Sequence, residues 1–154
     1  MGQIAKALGA GANFEFKGVH YKMAPWTYRI LGEFELFLQE KALRNMRKMR
    51  SFLTSEEYNE LVKETRRDLD VGLYTFGSDK VKQALQSSEN LKRLIFLCIQ
   101  VGHSEISEEL VQDMWDTEAE MLLQKMDEAN SDPNPRKPET TKENISSSAT
   151  AEQR

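Results

Sequence analysis

The first regular pattern in the chain alternates apolar and polar residues from Phe14 to Met23, on both sides of Gly18. Alternation with a period of two is typical of a β-hairpin that buries one face. A two-residue turn at Lys17 and Gly18 places one set of side chains on the same face of the ribbon. That set is Ala12, Phe14, Phe16, Val19, Tyr21 and Met23. Because an isolated two-stranded ribbon is marginal in water, this face is expected to pack on another part of the chain.

After Pro25 the apolar residues recur every three or four positions, which predicts a helix that begins near Thr27 and runs for about six turns. Its apolar stripe consists of Leu31, Phe34, Leu38, Ala42, Met46, Met49 and Leu53. A second helix is predicted from Thr54, because Glu57 follows at the spacing of a capping box. Gly72 or Gly77 is expected to end it.

The second half of the chain predicts a short helical turn over Asp79–Leu85 and then a helix capped by Ser87 or Ser88. That helix contains the run from Leu94 to Val101, which is apolar on almost every side, so we expect it at the centre of the domain. Ser107 is predicted to cap a last helix. Its packing residues would be Leu110, Val111, Met114, Trp115, Met121, Leu122 and Met126.

Residues 129–154 contain three of the four prolines and a single large aliphatic residue, Ile145. Such a segment buries too little apolar surface to offset the ~1–2 kcal/mol of backbone entropy per ordered residue. We therefore expect a disordered polar tail after one domain spanning residues 1–128. The predicted fold is mainly α (α+β), with an N-terminal β-hairpin followed by four to five helices.

Composition narrows the class of protein. No segment approaches the roughly 18 uninterrupted apolar residues of a membrane-spanning helix, and the first 13 residues lack the apolar core of a signal peptide. We expect no membrane association and a cytosolic location. The only cysteine, Cys98, excludes an internal disulfide and a multi-thiolate metal site.

The sequence offers no catalytic constellation. The two histidines, His20 and His103, have no ligand partner at helical spacing, so neither a metal nor a cofactor is expected. Cys98 lies in the most apolar run, where a thiol is usually inert. We expect a protein that is not an enzyme.

The candidate binding residues are apolar. Methionine has an unbranched, polarizable side chain that suits a groove accepting several apolar shapes. Met46, Met49, Trp115 and Met121 are therefore candidate partner contacts on the two long helices, with core filling as the alternative. Trp26, beside Pro25, is a fifth candidate, and a core position is the favoured interpretation for it.

A different class of function is suggested by the basic residues at the end of the first helix. Lys41, Arg44, Arg47, Lys48 and Arg50 could contact phosphates in a nucleic-acid-binding accessory protein. Their positions are spread around the helix, and the formal charge of the whole chain is −4. Both observations disfavour nucleic acid as a partner.

The segment from Phe14 to Thr27, followed by Leu31 and Glu33-Phe34-Glu35, resembles the tail assembly chaperones of long-tailed bacteriophages. Those proteins typically begin with a hairpin of the form F-x-F-x-G-x-x-Y-x-(apolar)-x-P-x-T, then a helix with an acidic pair near its start. The run from Leu94 to Val111 is similar to the family's buried helix, His-containing loop and acidic capped helix. Ser104 departs from the proline that the family often has after the histidine, and the long polar tail is a second departure.

The resemblance implies a non-enzymatic helper of virion assembly in the host cytoplasm. Such proteins bind the largely helical tape measure protein, keep it soluble, and help the tail tube protein polymerise around it. They are absent from the mature virion. The chaperone could act as a homo-oligomer. A structural tail completion or connector protein is an alternative function.

Overall fold

The structure, a computed structural model, describes residues 11–131. Two strands, β1 (Ala12–Phe16) and β2 (Val19–Met23), precede five helices. The helices are α1 (Tyr28–Lys48), α2 (Ser55–Asp70), α3 (Asp79–Ala84), α4 (Ser88–Gln100) and α5 (Glu108–Asn130). The predicted mainly α fold with an N-terminal hairpin is confirmed. Helix α5 continues two residues past the expected boundary at Glu128, and the rest of the predicted tail lies outside the described residues.

The hairpin has the register that its alternation predicts. Phe16 pairs with Val19, Phe14 with Tyr21, and Ala12 with Met23. Lys17 and Gly18 both have positive φ, 49° and 77°, as a type I′ turn requires of its two central residues. On the apolar face, Ala12, Phe14, Phe16 and Met23 are buried, whereas Val19 beside the turn is half exposed.

Helix α4 is the centre of the core, as its apolar run predicts. Every residue from Leu94 to Ile99 is buried. Helix α1 packs against α4, and α5 packs against α4 and the hairpin. The backbone N–H of Ala24 donates to the carbonyl oxygen of Cys98 at 3.1 Å, which ties the segment after β2 to the last turn of this helix.

Most helix starts are set by the predicted caps. The side chains of Thr27, Thr54 and Ser107 each accept a backbone N–H of the first turn, which satisfies a donor that has no partner within the helix. Ser87 occupies the cap position of α4 without a side-chain hydrogen bond. Gly72, with φ of 73°, follows the end of α2 in the left-handed conformation that commonly terminates helices.

Two helices depart from their predicted continuity. Helix α1 ends at Lys48 and is followed by a 3₁₀ turn over Met49–Ser51, so its stripe does not continue as α-helix to Leu53. Helix α5 has a kink at Glu118, where φ is −142° and ψ is 45°. The Thr117 hydroxyl donates to the carbonyl oxygen of Asp113 at 2.8 Å, a side-chain bond of the kind that bends helices.

Candidate protein-binding groove

An open groove with a volume of about 600 Å³ lies along the C-terminal half of α1. Helix α1 contributes Leu38, Lys41, Ala42, Asn45 and Met46, and the 3₁₀ turn after it contributes Met49. Helix α2 contributes Leu61, Glu64, Thr65 and Asp68. The remaining lining residues, Tyr74, Lys80, Gln83, Ala84 and Asn90, belong to α3, α4 and the segment before α3. The groove therefore has apolar side chains along α1 and polar or charged side chains on either side.

The groove exists because α1 is longer than the core that it covers. Helix α1 has 21 residues and α4 has 13, which correspond to lengths of about 31 and 20 Å. Only Ile30, Phe34 and Leu38, in the first half of α1, are buried. The apolar stripe continues through Met46 and Met49 beyond the part that α4 covers.

Helix α2 covers this second half of α1 only in part. Its principal contacts are with α1 and the 3₁₀ turn, and Thr65 is its only buried residue. Its large apolar residues, Tyr58, Leu61, Val62 and Leu69, are all partly exposed. An amphipathic helix held in this way leaves apolar surface between itself and its neighbour.

Two ion pairs use most of the charge that lines the groove. The Lys41 ammonium lies 3.0 Å from the Glu89 carboxylate and 2.9 Å from the side-chain oxygen of Asn90. The hydrogen bond from Lys41 lowers the pKa of Glu89. Lys80 lies 3.0 Å from Asp68, and this hydrogen bond raises the pKa of Lys80. Within residues 11–131, Glu64 has no ion-pair partner.

The structure brings together two of the five candidate contact residues. Met46 is half-buried and Met49 is 40% exposed, and both line the groove. Trp26, Trp115 and Met121 do not line it; they are partly buried and pack against the hydrophobic core. Of the other methionines on α5, Met114 and Met126 are buried, so α5 contributes mainly to the interior.

Trp26 lies where a core residue is expected. Its ring packs edge-on against Phe76 at a centroid distance of 5.2 Å. Its backbone N–H donates to the side-chain oxygen of Asn130 at 2.7 Å. The buried indole N–H makes no hydrogen bond of acceptable geometry. Burial raises the pKa of the neighbouring Cys98 thiol to about 12, and the contact with Trp26 opposes this effect only in part.

The basic residues at the end of α1 do not form a continuous face. Arg44, Arg47, Lys48 and Arg50 are exposed, and Arg50 lies over the ring of Tyr58 at 5.9 Å. Lys41, which was grouped with them in the sequence, points into the groove and is paired with Glu89. One member of the predicted basic cluster is thus committed to the protein itself.

Neither histidine belongs to a cluster of ligands. His20 is exposed on the polar side of the hairpin, and the Nε2 atom of His103 accepts the backbone N–H of Lys22 at 3.2 Å. Across residues 11–131, no group of three His, Cys, Asp or Glu side chains is close enough to hold a metal ion. In the same range, no helix has the length and apolar character needed to cross a membrane.

Sequence reasoning missed the α2 side of the groove. Leu61 and Tyr58 were recognised as part of a helical stripe, but the pattern does not show whether a stripe is covered. Phe52, which is 79% exposed, lies directly after the 3₁₀ turn, and its backbone N–H donates to the carbonyl oxygen of Met49 at 3.0 Å. In the sequence, the position of Phe52 outside the periodic apolar stripe of the first helix is the signal that indicates its exposure.

Comparison with known proteins identifies no relative: no protein-family model, no curated protein and no solved structure matches this chain.

Proposed function

We propose that this protein is a bacteriophage tail assembly chaperone that binds the tape measure protein through the groove between α1 and α2. It keeps the tape measure protein soluble until the tail tube protein polymerises around it. The resemblance of residues 14–27 and 94–111 to that family motivates the proposal. The single observation that carries it is the open apolar groove of about 600 Å³ that Met46 and Met49 line.

The groove has the physical properties that such a role requires. Apolar surface gives affinity at roughly 25 cal/mol per Å² buried, less the ordering costs of association. Methionine adapts to different apolar shapes, so one groove can serve several turns of a long helical client. Two ion pairs link neighbouring helices at the groove: Lys41 of α1 pairs with Glu89 of α4, and Lys80 of α3 pairs with Asp68 of α2.

Co-expression with the tape measure protein of the same phage tests the proposal. The wild-type chain is expected to raise the soluble fraction of the tape measure protein. Met46→Asp, which places a charge in the groove, is expected to abolish this effect. Leu36→Asp is the matched control, because Leu36 is 54% exposed on the same helix and does not line the groove.

Unchanged tape measure solubility with the wild-type chain would remove the proposal. Equal loss of activity in the Leu36 and Met46 variants would remove the groove from it. Mass spectrometry of purified particles supplies a further check, since a chaperone is expected to be absent from the virion. Its presence there would support a tail completion or connector protein instead.

A further inference from the structure

The groove is long enough for a short helical segment of a partner. Its apolar positions run from Leu38 through Ala42 and Met46 on α1 to Met49 in the 3₁₀ turn, a strip of about 16 Å at 1.5 Å per residue. A helix that presents apolar side chains at positions i, i+4 and i+7 needs about 10 Å of such a strip. Three anchors of one amphipathic helix therefore fit along it.

The two ends of the groove differ. Lys80 bonds to Asp68 of α2 and lies over the ring of Tyr74 at 5.0 Å, so α2 and α3 are bonded to each other where these residues line the groove. At the other end Met49 is 40% exposed and Phe52 is 79% exposed, with no helix covering them. The groove is therefore bounded by the Lys80–Asp68 pair at one end and is more open at Met49.

One carboxylate among the charged residues that line the groove has no ion-pair partner within residues 11–131. Of the groove's four charged residues, Lys41, Asp68 and Lys80 already have ion-pair partners at 3.0 Å. Glu64 is exposed and has no such partner within the described part of the chain. A bound segment with a cation beside its apolar stripe would pair with Glu64, whereas one with an anion there would be repelled.

We propose that the groove accepts a single amphipathic α-helix that carries Lys or Arg beside its apolar stripe, and that Glu64 selects this charge. The inference rests on the proposed function in one respect: it names the class of tape measure segment that the chaperone would hold. Its test uses no tape measure protein, so the two can fail separately.

Two designed peptides probe the selection. Each is an 18-residue amphipathic helix with Leu at i, i+4 and i+7, labelled with fluorescein; one has Lys beside the stripe and the other has Glu. Fluorescence anisotropy with the full chain is expected to show that the Lys peptide binds about two- to five-fold more tightly, as expected for an exposed ion pair. Glu64→Lys is expected to reverse this order.

Glu60→Lys is the matched control. It makes the same charge change on the same helix, and Glu60 is exposed, pairs with Lys63 at 3.3 Å and does not line the groove. This variant is expected to keep the wild-type preference for the Lys peptide. Met46→Asp is expected to abolish binding of both peptides.

Several results would overturn the inference. The same peptide order in wild type and Glu64→Lys would show that Glu64 does not select charge. Absence of binding by either peptide, or binding that survives Met46→Asp, would show that the groove does not take such a helix. A dimer of the free protein that Met46→Asp dissociates would identify a second copy as the occupant.

These results are distinguishable from failure of the proposed function. If the chain keeps the tape measure protein soluble but binds the Lys and Glu peptides equally, only the inference is contradicted. The predicted peptide selection without any effect on tape measure solubility would contradict the proposed function alone.

Discussion

Phe34 and Phe52 are the same residue type in opposite environments. Phe34 lies in the first half of α1, and Phe52 directly follows the 3₁₀ turn at the end of that helix. Phe34 is fully buried between α1 and the core and packs against Phe37 and Phe76 at ring distances of 6.2 and 6.5 Å. Phe52 is 79% exposed after the 3₁₀ turn. One is a structural residue, and the other is available to a partner.

Truncation of the two phenylalanines is expected to separate these roles. Phe34→Ala removes a buried ring and leaves a cavity, which is expected to lower the free energy of unfolding by about 3–5 kcal/mol. Phe52→Ala is expected to change it by less than about 0.5 kcal/mol. Urea unfolding followed by circular dichroism measures both. A large loss of stability in Phe52→Ala would mean that this ring is buried in solution.

Cys98 shows the effect of burial on a single ionisable group. Burial raises its pKa to about 12 from the ordinary value of 9.0. Because the unfolded thiol loses its proton first, the free energy of unfolding is expected to be unaffected by this group below pH 9 and to fall as the pH rises above 9. At pH 8, the thiol is expected to react with Ellman's reagent only after unfolding by denaturant. Rapid reaction of the native protein would contradict the burial of this residue.

At the scale of elements, helix periodicity predicted where helices lie but not which of their faces are covered. The hairpin register follows from the alternation together with a two-residue turn at Lys17 and Gly18, which pairs Phe14 with Tyr21. Coverage of α1 depends on the length of α4, which is a property of another element. For this reason, the sequence could not predict that Met46 and Met49 line a groove while Trp115 and Met121 pack against the core.

Helix α2 is expected to be the first helix to open. It packs mainly on α1 and buries only Thr65, whereas α4 buries six consecutive residues from Leu94 to Ile99. Native-state hydrogen exchange is expected to show that α2 amides open with a lower free energy than α4 amides, which should exchange only on global unfolding. Equal protection of the two helices would contradict this order.

The capping interactions at the start of α2 are expected to contribute to the free energy of its opening. Thr54 and Glu57 form a capping box, with the Glu57 carboxylate accepting the Thr54 N–H at 2.8 Å. Thr54→Ala is expected to lower the opening free energy of α2 by about 1 kcal/mol, and the neighbouring Ser55→Ala is the control. Hydrogen exchange of α2 measures the difference, and equal effects of the two substitutions would contradict the role of the cap.

The capping box also makes α2 sensitive to acid. Backbone and side-chain hydrogen bonds with Thr54 lower the pKa of Glu57 from its ordinary value of 4.5. Stabilisation by the carboxylate is therefore present above pH 4.5 and is lost as the pH falls through the lowered value. Protection of α2 is expected to decrease in that range, more in the wild type than in Thr54→Ala.

As a whole molecule, the described part of the chain consists of a packed body and a partly covered helical pair. The body consists of the hairpin, α4, α5 and the first half of α1, and ion pairs such as Lys17 with Asp113 join its early and late segments. The pair consists of the second half of α1 and α2, which enclose the groove with α3. Binding through apolar contact is expected to change little with added salt, whereas phosphate binding by the end of α1 would weaken steeply.

The methionines allow the central claim to be tested in one experiment. Methyl NMR of the methionine-labelled protein, with and without the tape measure protein, reports on groove and body together. The account predicts that the signals of Met46 and Met49 shift on binding while those of buried Met23 and Met114 stay in place. Shifts at Met121 with none at Met46 or Met49, or no shift at any methionine, would contradict it.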